Sequence, residues 1–379
     1  MPNNNTISSK SVLTVVFALI STVLVLLGVF LMMFRPHAGE VIPPANDVGI
    51  MDGLKFFVND SVSEAEYEIR NIPKRFWVSK DAKKGPVPNP ECYGTSNDPS
   101  SLQWLLDSAQ TLLEGQQTLF TTETPLIPGT EALYYLDDTI FAVTWKQAFH
   151  LTCYTITEIK VSDPSQFRRH IEDPVFDGKK LSTPSKMSRS VNAVVGAAAD
   201  HYRGRRAGVA VYKGEVQRVN NLKRIDVCYV DKNGDLHFTY RGQIADFDAA
   251  QKFVDEHNID FSMSFGPILI DDGKRCEPRF YTLGEINERY ARSAICQMGP
   301  LHYLVVVANS EGSNNNHPDI HDFAATLDTF GCQKAYALDG GNTGSIVMNG
   351  KLINRTTFGH ERLQGDIIYF CTAIPNKKS

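Results

Sequence analysis

The residue types best suited to chemistry cluster in Ala335–Asn354, AYALDGGNTGSIVMNGKLIN. A short apolar strand, Ala335–Leu338, runs into Asp339-Gly340-Gly341, and Asn342, Thr343 and Ser345 follow. Two glycines behind an acid let backbone approach a ligand closely and aim N–H groups at an anion. The same tripeptide is common in plain β-turns, where the acid caps its own backbone, and the local pattern leaves both readings open. A second strand, Ser345–Met348, then turns at Asn349-Gly350. That dipeptide between apolar runs is a strong hairpin signal, because a type I′ turn needs positive φ at both central residues.

Elements able to position this stretch run from about Leu133 onward. Thr139–Trp145 and Phe149–Val161 are rich in β-branched and aromatic residues and predict strands. Asp163-Pro164 predicts a helix start, with Asp as cap and Pro in the first turn. Hairpins are expected at Lys213-Gly214 and Asn233-Gly234, and a strand and turn at Phe265–Ile270 and Asp272-Gly273. Asp246–His257 and Asp319–Phe330 read as amphipathic helices, the second stopped by Gly331. Tyr303–Ala308 is a continuous apolar run that predicts a central strand, and Ile367–Ile374 a last one. Strands and hairpins interleaved with a few helices predict an α+β fold with a mixed β-sheet.

The first 35 of the 379 residues carry no acid, and Lys10 and Arg35 bracket the apolar run Val12–Phe34. As a helix this run spans about 34 Å, enough to cross a bilayer core of roughly 30 Å. It is too long for a signal-peptide core and has no A-x-A cleavage site after it, so an N-terminal transmembrane anchor is expected. The expected organisation is a tail over 1–11, an anchor over 12–34, a juxtamembrane stalk over 35–130 and a main domain over 133–379. Within the stalk, Ser101–Gln116 carries a leucine stripe at helical spacing, either packed on the main domain or a spacer. Pro125–Gly129 reads as a linker. Residues 1–35 contribute +2 to a net charge of −5, leaving −7 on the rest. That balance argues against a nucleic-acid partner. Seven cysteines show no C-x-x-C or metal-ligand spacing, and Cys153, Cys228, Cys332 and Cys371 sit in apolar runs that predict small core residues.

The ordered segments from about Ala142 to Ala373 resemble the phosphodiester glycosidase family, the domain of the lysosomal "uncovering" enzyme and of many bacterial exopolysaccharide-type proteins. Val161-Ser162-Asp163-Pro164 is similar to the family's early helix start. Asp200-His201-Tyr202, Gly208 and Lys213-Gly214 are similar to its "NGDYY…G…NG" segment. Phe265–Leu269 with Asp272-Gly273-Lys274 resembles "FGP-L-DGK", and Ala291–Ile295 lies where the family has "PRTAIG". Ala337–Gly341 resembles the "NLDGGGSS" loop. There are departures: Ala198-Ala199 replace Asn-Gly, Ala291 and Ser293 replace Pro and Thr, and Asn342-Thr343 replace Gly-Ser. Asp200, Arg292, Asp339, Gly340 and Gly341 remain.

The resemblance implies cleavage of a sugar-1-phosphodiester. Arg292 would pair with phosphate oxygens in a two-pronged contact that a lysine would not reproduce. Asp339 would serve as general base or nucleophile, with Asp200 the second carboxylate, since glycoside cleavage commonly divides its work between two. Gly340, Gly341, Asn342, Thr343 and Ser345 would bind substrate and hold an oxyanion. His201 would face the pocket, and Arg206, in a basic run with Arg203 and Arg205, would bind an anionic glycan. No cofactor is expected; a divalent cation could sit near Asp339, though no ligand spacing demands one. The expected partners are a phosphate-containing glycan of a cell-surface polysaccharide and, through the anchor, the membrane, with the C-terminal domain outside the cytoplasm. The alternative is a catalytically degenerate domain of the same fold that binds glycan or organises an envelope assembly.

Overall fold

The computed structural model describes residues 93–94, 104, 107–108, 118–121, 123–136, 139–276, 288–309 and 317–375. The expected anchor at residues 12–34, most of the stalk and most of the leucine-striped segment lie outside the described residues. Among the described residues no helix is long and apolar enough to cross a membrane.

Two antiparallel sheets carry the fold. The larger has eight strands, running across the sheet Lys274–Arg275, Ile268–Asp271, Lys334–Leu338, Arg292–Gly299, His302–Ala308, Thr152–Val161, Ile140–Phe149 and Leu133–Leu136. The smaller has five: Lys351–Leu352, Ile346–Met348, Ala193–Ala198, Asp366–Cys371 and Phe167–Ile171. A three-stranded sheet and the hairpin Gly208–Tyr212/Glu215–Asn220 form a satellite with its own apolar cluster around Val209, Val211, Tyr229 and Val254. The parallel pairing found among the described residues joins Tyr93–Gly94 to Ile374–Pro375. The class is α+β, mostly sheet, with few helices.

Period-two alternation explains how the large sheet is covered. On Thr152–Val161, Tyr154 and Ile156 face the core cluster shared with helix α1 (Ile320–Thr329) through Phe323 and Leu327. The same face continues at Glu158 and Lys160, both buried, where apolar residues would be expected. The chain before the main domain satisfies them. Glu158 accepts the Leu119 and Phe120 N–H groups at 3.1 and 3.2 Å and meets His302 Nε2 at 2.8 Å. Lys160 Nζ donates to Ser108 Oγ at 3.0 Å and lies over the Trp104 ring. Trp104, Asp107 and Ser108 are helical, so the described part of the striped segment packs on the main domain. Residues 125–130 form no regular element, but Ile127 N–H donates to Lys146 O at 3.0 Å.

The other face of the large sheet meets the small one. Phe167 stacks on Phe370 with centroids 4.5 Å apart and reaches Tyr303 of the large sheet at 4.9 Å. A helix, Pro184–Ser190, covers the outer face of the small sheet through Met187, against Ala193, Ile367 and Tyr369.

Turn chemistry matches the sequence at several points. Lys213-Gly214 and Asn349-Gly350 have positive φ at both residues, as a two-residue hairpin requires. Asp246 and Asp319 cap their helices through the side chain. Asp163 caps a single 3-10 turn, Pro164–Gln166, rather than a longer helix: Gln166 is buried and its side chain accepts the Asp163 N–H while donating to Thr139 and Cys371 carbonyls. Cys153, Cys228, Cys332 and Cys371 are core residues, joined by Cys296.

Candidate active site

Asp339 follows the strand Lys334–Leu338 of the large sheet, at the place where the two sheets meet. Its N–H donates to Ala199 O, past the end of Ala193–Ala198 in the small sheet, at 3.1 Å. Gly341 N–H donates to Ala291 O, before Arg292–Gly299 in the large sheet, at 2.8 Å. Gly340 passes so close to the Ala291 carbonyl that a Cβ there would collide with backbone. Gly341 has φ of +56°. The two glycines are therefore demanded by close approach and by a left-handed turn. Their position is also a correction to one expectation, because the Gly341 amide is spent inside the fold rather than offered to an oxyanion.

Two depressions open on either side of this loop. The larger, about 620 Å³, is lined by Asp200, His201, Arg203, Glu361 and Gln364 among others. The smaller, about 190 Å³, is lined by Arg205, Phe265, Tyr290, Arg292 and Ser293 among others. Asp339, Asn342 and Arg362 border both. Asp339 is thus the carboxylate at the junction. Its side chain is 15% exposed and its Oδ2 lies 3.8 Å from His201 Nδ1. Burial raises the Asp339 carboxyl above the ordinary range, opposed by His201, by a hydrogen bond from Thr343 and by Arg205 and Arg362. His201 is 43% exposed and its ring sits over Gly204, where a Cβ would strike it.

Asp200 lines the larger cleft but is engaged from below. Its Oδ1 accepts from Arg169 Nη2 at 2.6 Å and from Tyr202 N–H at 3.2 Å, and its Oδ2 accepts from Ser264 N–H at 2.6 Å. Arg169 also pairs with Asp366 Oδ2 at 2.7 Å and donates to the Ser262 carbonyl, all three charged side chains being almost wholly buried. Burial drives the Asp366 carboxyl well above its usual range, with the Asp200 carboxylate adding to the push against Arg169. One arginine beneath two carboxylates makes this a floor for the cleft, and Asp200 sits in it as an anchor.

The remaining expected residues divide. Asn342 borders both pockets and its Oδ1 accepts the Phe358 N–H at 3.0 Å, while Thr343 Oγ1 accepts from Arg362 at 3.3 Å. Arg292 lines the smaller pocket, held by a 2.5 Å bond from Nη2 to Glu288 O and lying 6.0 Å from the Tyr290 ring centre. Ser345 does not reach the cleft: it is buried and its hydroxyl donates to Thr343 O. Arg206 points elsewhere, because its left-handed backbone and a 2.7 Å pair with Asp177 hold it outside both pockets. Arg362 was not expected. It comes from a polar loop 23 positions beyond Asp339 with no motif around it. Gln364 and Asn354 fix the backbone there, donating to the Thr343 and Gly344 carbonyls.

Residues 188–371 match the family model described as phosphodiester glycosidase. An SPbeta prophage-derived uncharacterized protein of Bacillus subtilis, YomE, is 26% identical over 107 residues, which is 28% of this chain and 17% of that protein. Among solved structures, the chain is similar to a hypothetical protein from Synechocystis, at TM-score 0.49 and 13% identity over 64% of each chain. It is also similar to the zebrafish N-acetylglucosamine-1-phosphodiester alpha-N-acetylglucosaminidase catalytic domain auto-inhibited by its pro-peptide. There the TM-score is 0.48 and the identity 15%, over 66% of this chain and 85% of that one. Over residues 188–371, then, the chain is similar to the phosphodiester glycosidase family.

Proposed function

We propose that this domain hydrolyses a sugar-1-phosphodiester, with Asp339 at the reacting centre. The observation that carries the reading is that Asp339 stands where the two pockets join, beside His201 and bordered by Arg362. Water attacks the anomeric carbon, and the bond from that carbon to the bridging oxygen breaks. The electron pair leaves with the phosphate, which departs as a monoester. The water's proton passes to the Asp339 carboxylate and on to His201. A carboxyl raised by burial is a stronger base than an ordinary aspartate, which suits that task. The arginines of the smaller pocket neutralise the phosphate, and the Arg169 floor keeps the loop entering His201 in place.

The sugar and polymer are part of the same proposal. A cell-surface polysaccharide substrate fits the apolar run of residues 12–34, which would anchor the chain in a membrane with this domain outside the cytoplasm. One observation favours the second reading, a glycan-binding module without turnover. Both oxygens of Asp200 are engaged, so the expected pair of carboxylates is reduced to one facing the junction.

The test is release of free sugar from an N-acetylglucosamine-1-phosphodiester by the full chain in detergent. Asp339→Asn is expected to lower kcat at least about 100-fold, and His201→Gln about tenfold or more. Equal rates in Asp339→Asn would remove Asp339 from the chemistry. Binding of the diester without turnover in the unaltered chain would favour the second reading.

A further inference from the structure

The charges beneath the larger cleft do not cancel. One guanidinium, Arg169, meets two carboxyls, Asp200 and Asp366, and each of the three side chains is at most 1% exposed. A buried charge without a counter-ion is expensive, and a carboxyl placed there takes up a proton instead. Strand register brings the group together. Arg169 lies on the same face of its strand as Phe167, and Asp366 on the same face as Phe370, with Arg169 opposite Ile368. A single nitrogen, Arg169 Nη2, is 2.6 Å from Asp200 Oδ1 and 2.7 Å from Asp366 Oδ2, which holds the two carboxyls side by side.

Their hydrogen bonds decide which one carries the proton. Asp200 accepts from Arg169, from Tyr202 N–H and from Ser264 N–H, and such donors favour the ionised form. Asp366 accepts from Arg169 at Oδ2, while its Oδ1 is buried and receives no donor. As part of an anion that oxygen is orphaned. As O–H it has an acceptor, because a side-chain hydrogen bond joins Asp366 to Asp200. Arg169 and Asp200 are the charged groups that act on Asp366 most strongly. Tyr202 stays neutral beside them, since burial pushes its phenol up to about 12. The same cleft is lined by His201, Arg203, Asp339, His360, Glu361 and Arg362.

Asp200 in turn fixes a wall of each pocket. The Tyr202 N–H belongs to the turn that carries His201 into the larger pocket, and the Ser264 N–H leads into Phe265 and Gly266 of the smaller. We infer that Asp366 is a positioning residue whose carboxyl donates its proton to Asp200 and thereby holds both pocket walls for the reaction proposed above. The positioning role rests on that reading; the shared proton does not. Loss of the proton leaves two anions against one guanidinium in a dry site and loosens both walls.

The test compares the full chain with Asp366→Asn, whose amide keeps a donor toward Asp200 and removes the titration. A proton held in the folded chain and released by the unfolded one costs the parent stability as pH climbs above the ordinary aspartate range. The melting temperature of Asp366→Asn relative to the parent is therefore expected to rise by at least about 5 °C between about pH 4 and pH 8. With the diester as substrate, the ratio of kcat in Asp366→Asn to kcat in the parent is expected to rise at least about threefold on the alkaline side, as the parent loses its proton. A melting gap that grows toward acid instead overturns the shared proton, and a kcat ratio flat with pH overturns the positioning role; both leave the proposed hydrolysis standing. No turnover in the parent, with the melting gap as expected, sinks the proposed hydrolysis and keeps the shared proton. Infrared spectra at pH 7 need neither turnover nor a folded Asp366 variant. Absorbance of a protonated carboxyl is expected to persist in Asp339→Asn, and its absence there would overturn the inference.

Discussion

Asp339 is kept ionisable at a cost. Burial raises its carboxyl, and His201, Thr343, Arg205 and Arg362 only partly offset that. A carboxyl raised in the folded state holds a proton that the unfolded chain has already released. Stability from this group therefore falls as pH climbs from the ordinary aspartate range through the raised value. Asp339→Asn removes the titration. The variant is expected to melt higher than the parent at pH 7, and the gap should close near about pH 3, where both forms of the parent are protonated. Thermal melts across that range check the sign; a parent more stable than the variant at neutral pH would mean that the surrounding cations outweigh burial. Such a gain in stability with loss of activity is the usual mark of a site held against its own folding preference. At this scale the sequence exposed the Asp339-Gly340-Gly341 turn, because close approach and positive φ leave a glycine signature. It hid Arg362, which reaches the site only through the fold, and it hid the Arg169 pair with Asp200 and Asp366, whose members are far apart in the chain.

Individual elements follow local rules closely. The hairpins at Lys213-Gly214 and Asn349-Gly350 and the Asp-capped helices were legible because each is set by residues next to one another. The turn at His150-Leu151 was not: its first residue takes φ of +54° without being Gly, Asn or Asp, so the chain around it reads as continuous strand. Glu158 is the element-scale case of most interest. A buried acid, beside the buried Lys160 on a face that begins apolar, was covered by a segment some 40 residues earlier, and no periodicity announces that. Breaking this clasp should loosen the covering segment before it harms the site. Glu158→Ala is expected to cost roughly 2–3 kcal/mol, since it orphans the buried Phe120 N–H, the half-buried Leu119 N–H and the His302 contact. Urea melts measure that cost, and limited proteolysis should show faster cutting near residues 118–121. Unchanged proteolysis would mean that apolar packing of Phe120 against Tyr134 and Trp145 holds the segment by itself.

For the whole molecule, two sheets that meet face to face bring three loop ends together, after Ala193–Ala198, before Arg292–Gly299 and after Lys334–Leu338, and the candidate site lies at that seam. The α+β class was legible because strand and helix periods differ along the chain. The sheet order was not, because pairing of Lys334–Leu338 between Ile268–Asp271 and Arg292–Gly299 is a long-range choice. Residues 12–34 supply the remaining whole-molecule expectation. The full chain should sediment with membranes and resist extraction by high salt and carbonate, while detergent releases it. Release by salt alone would remove the anchor from the proposal.

The central claim is cleavage at the anomeric carbon, and isotope placement tests it most directly. The full chain would be incubated with an N-acetylglucosamine-1-phosphodiester in water enriched in oxygen-18, and both products weighed by mass spectrometry. The predicted result is one heavy oxygen in the released sugar and none in the phosphate monoester. Heavy oxygen in the phosphate monoester or in inorganic phosphate would mean attack at phosphorus, and the glycosidase reading of Asp339 would fall.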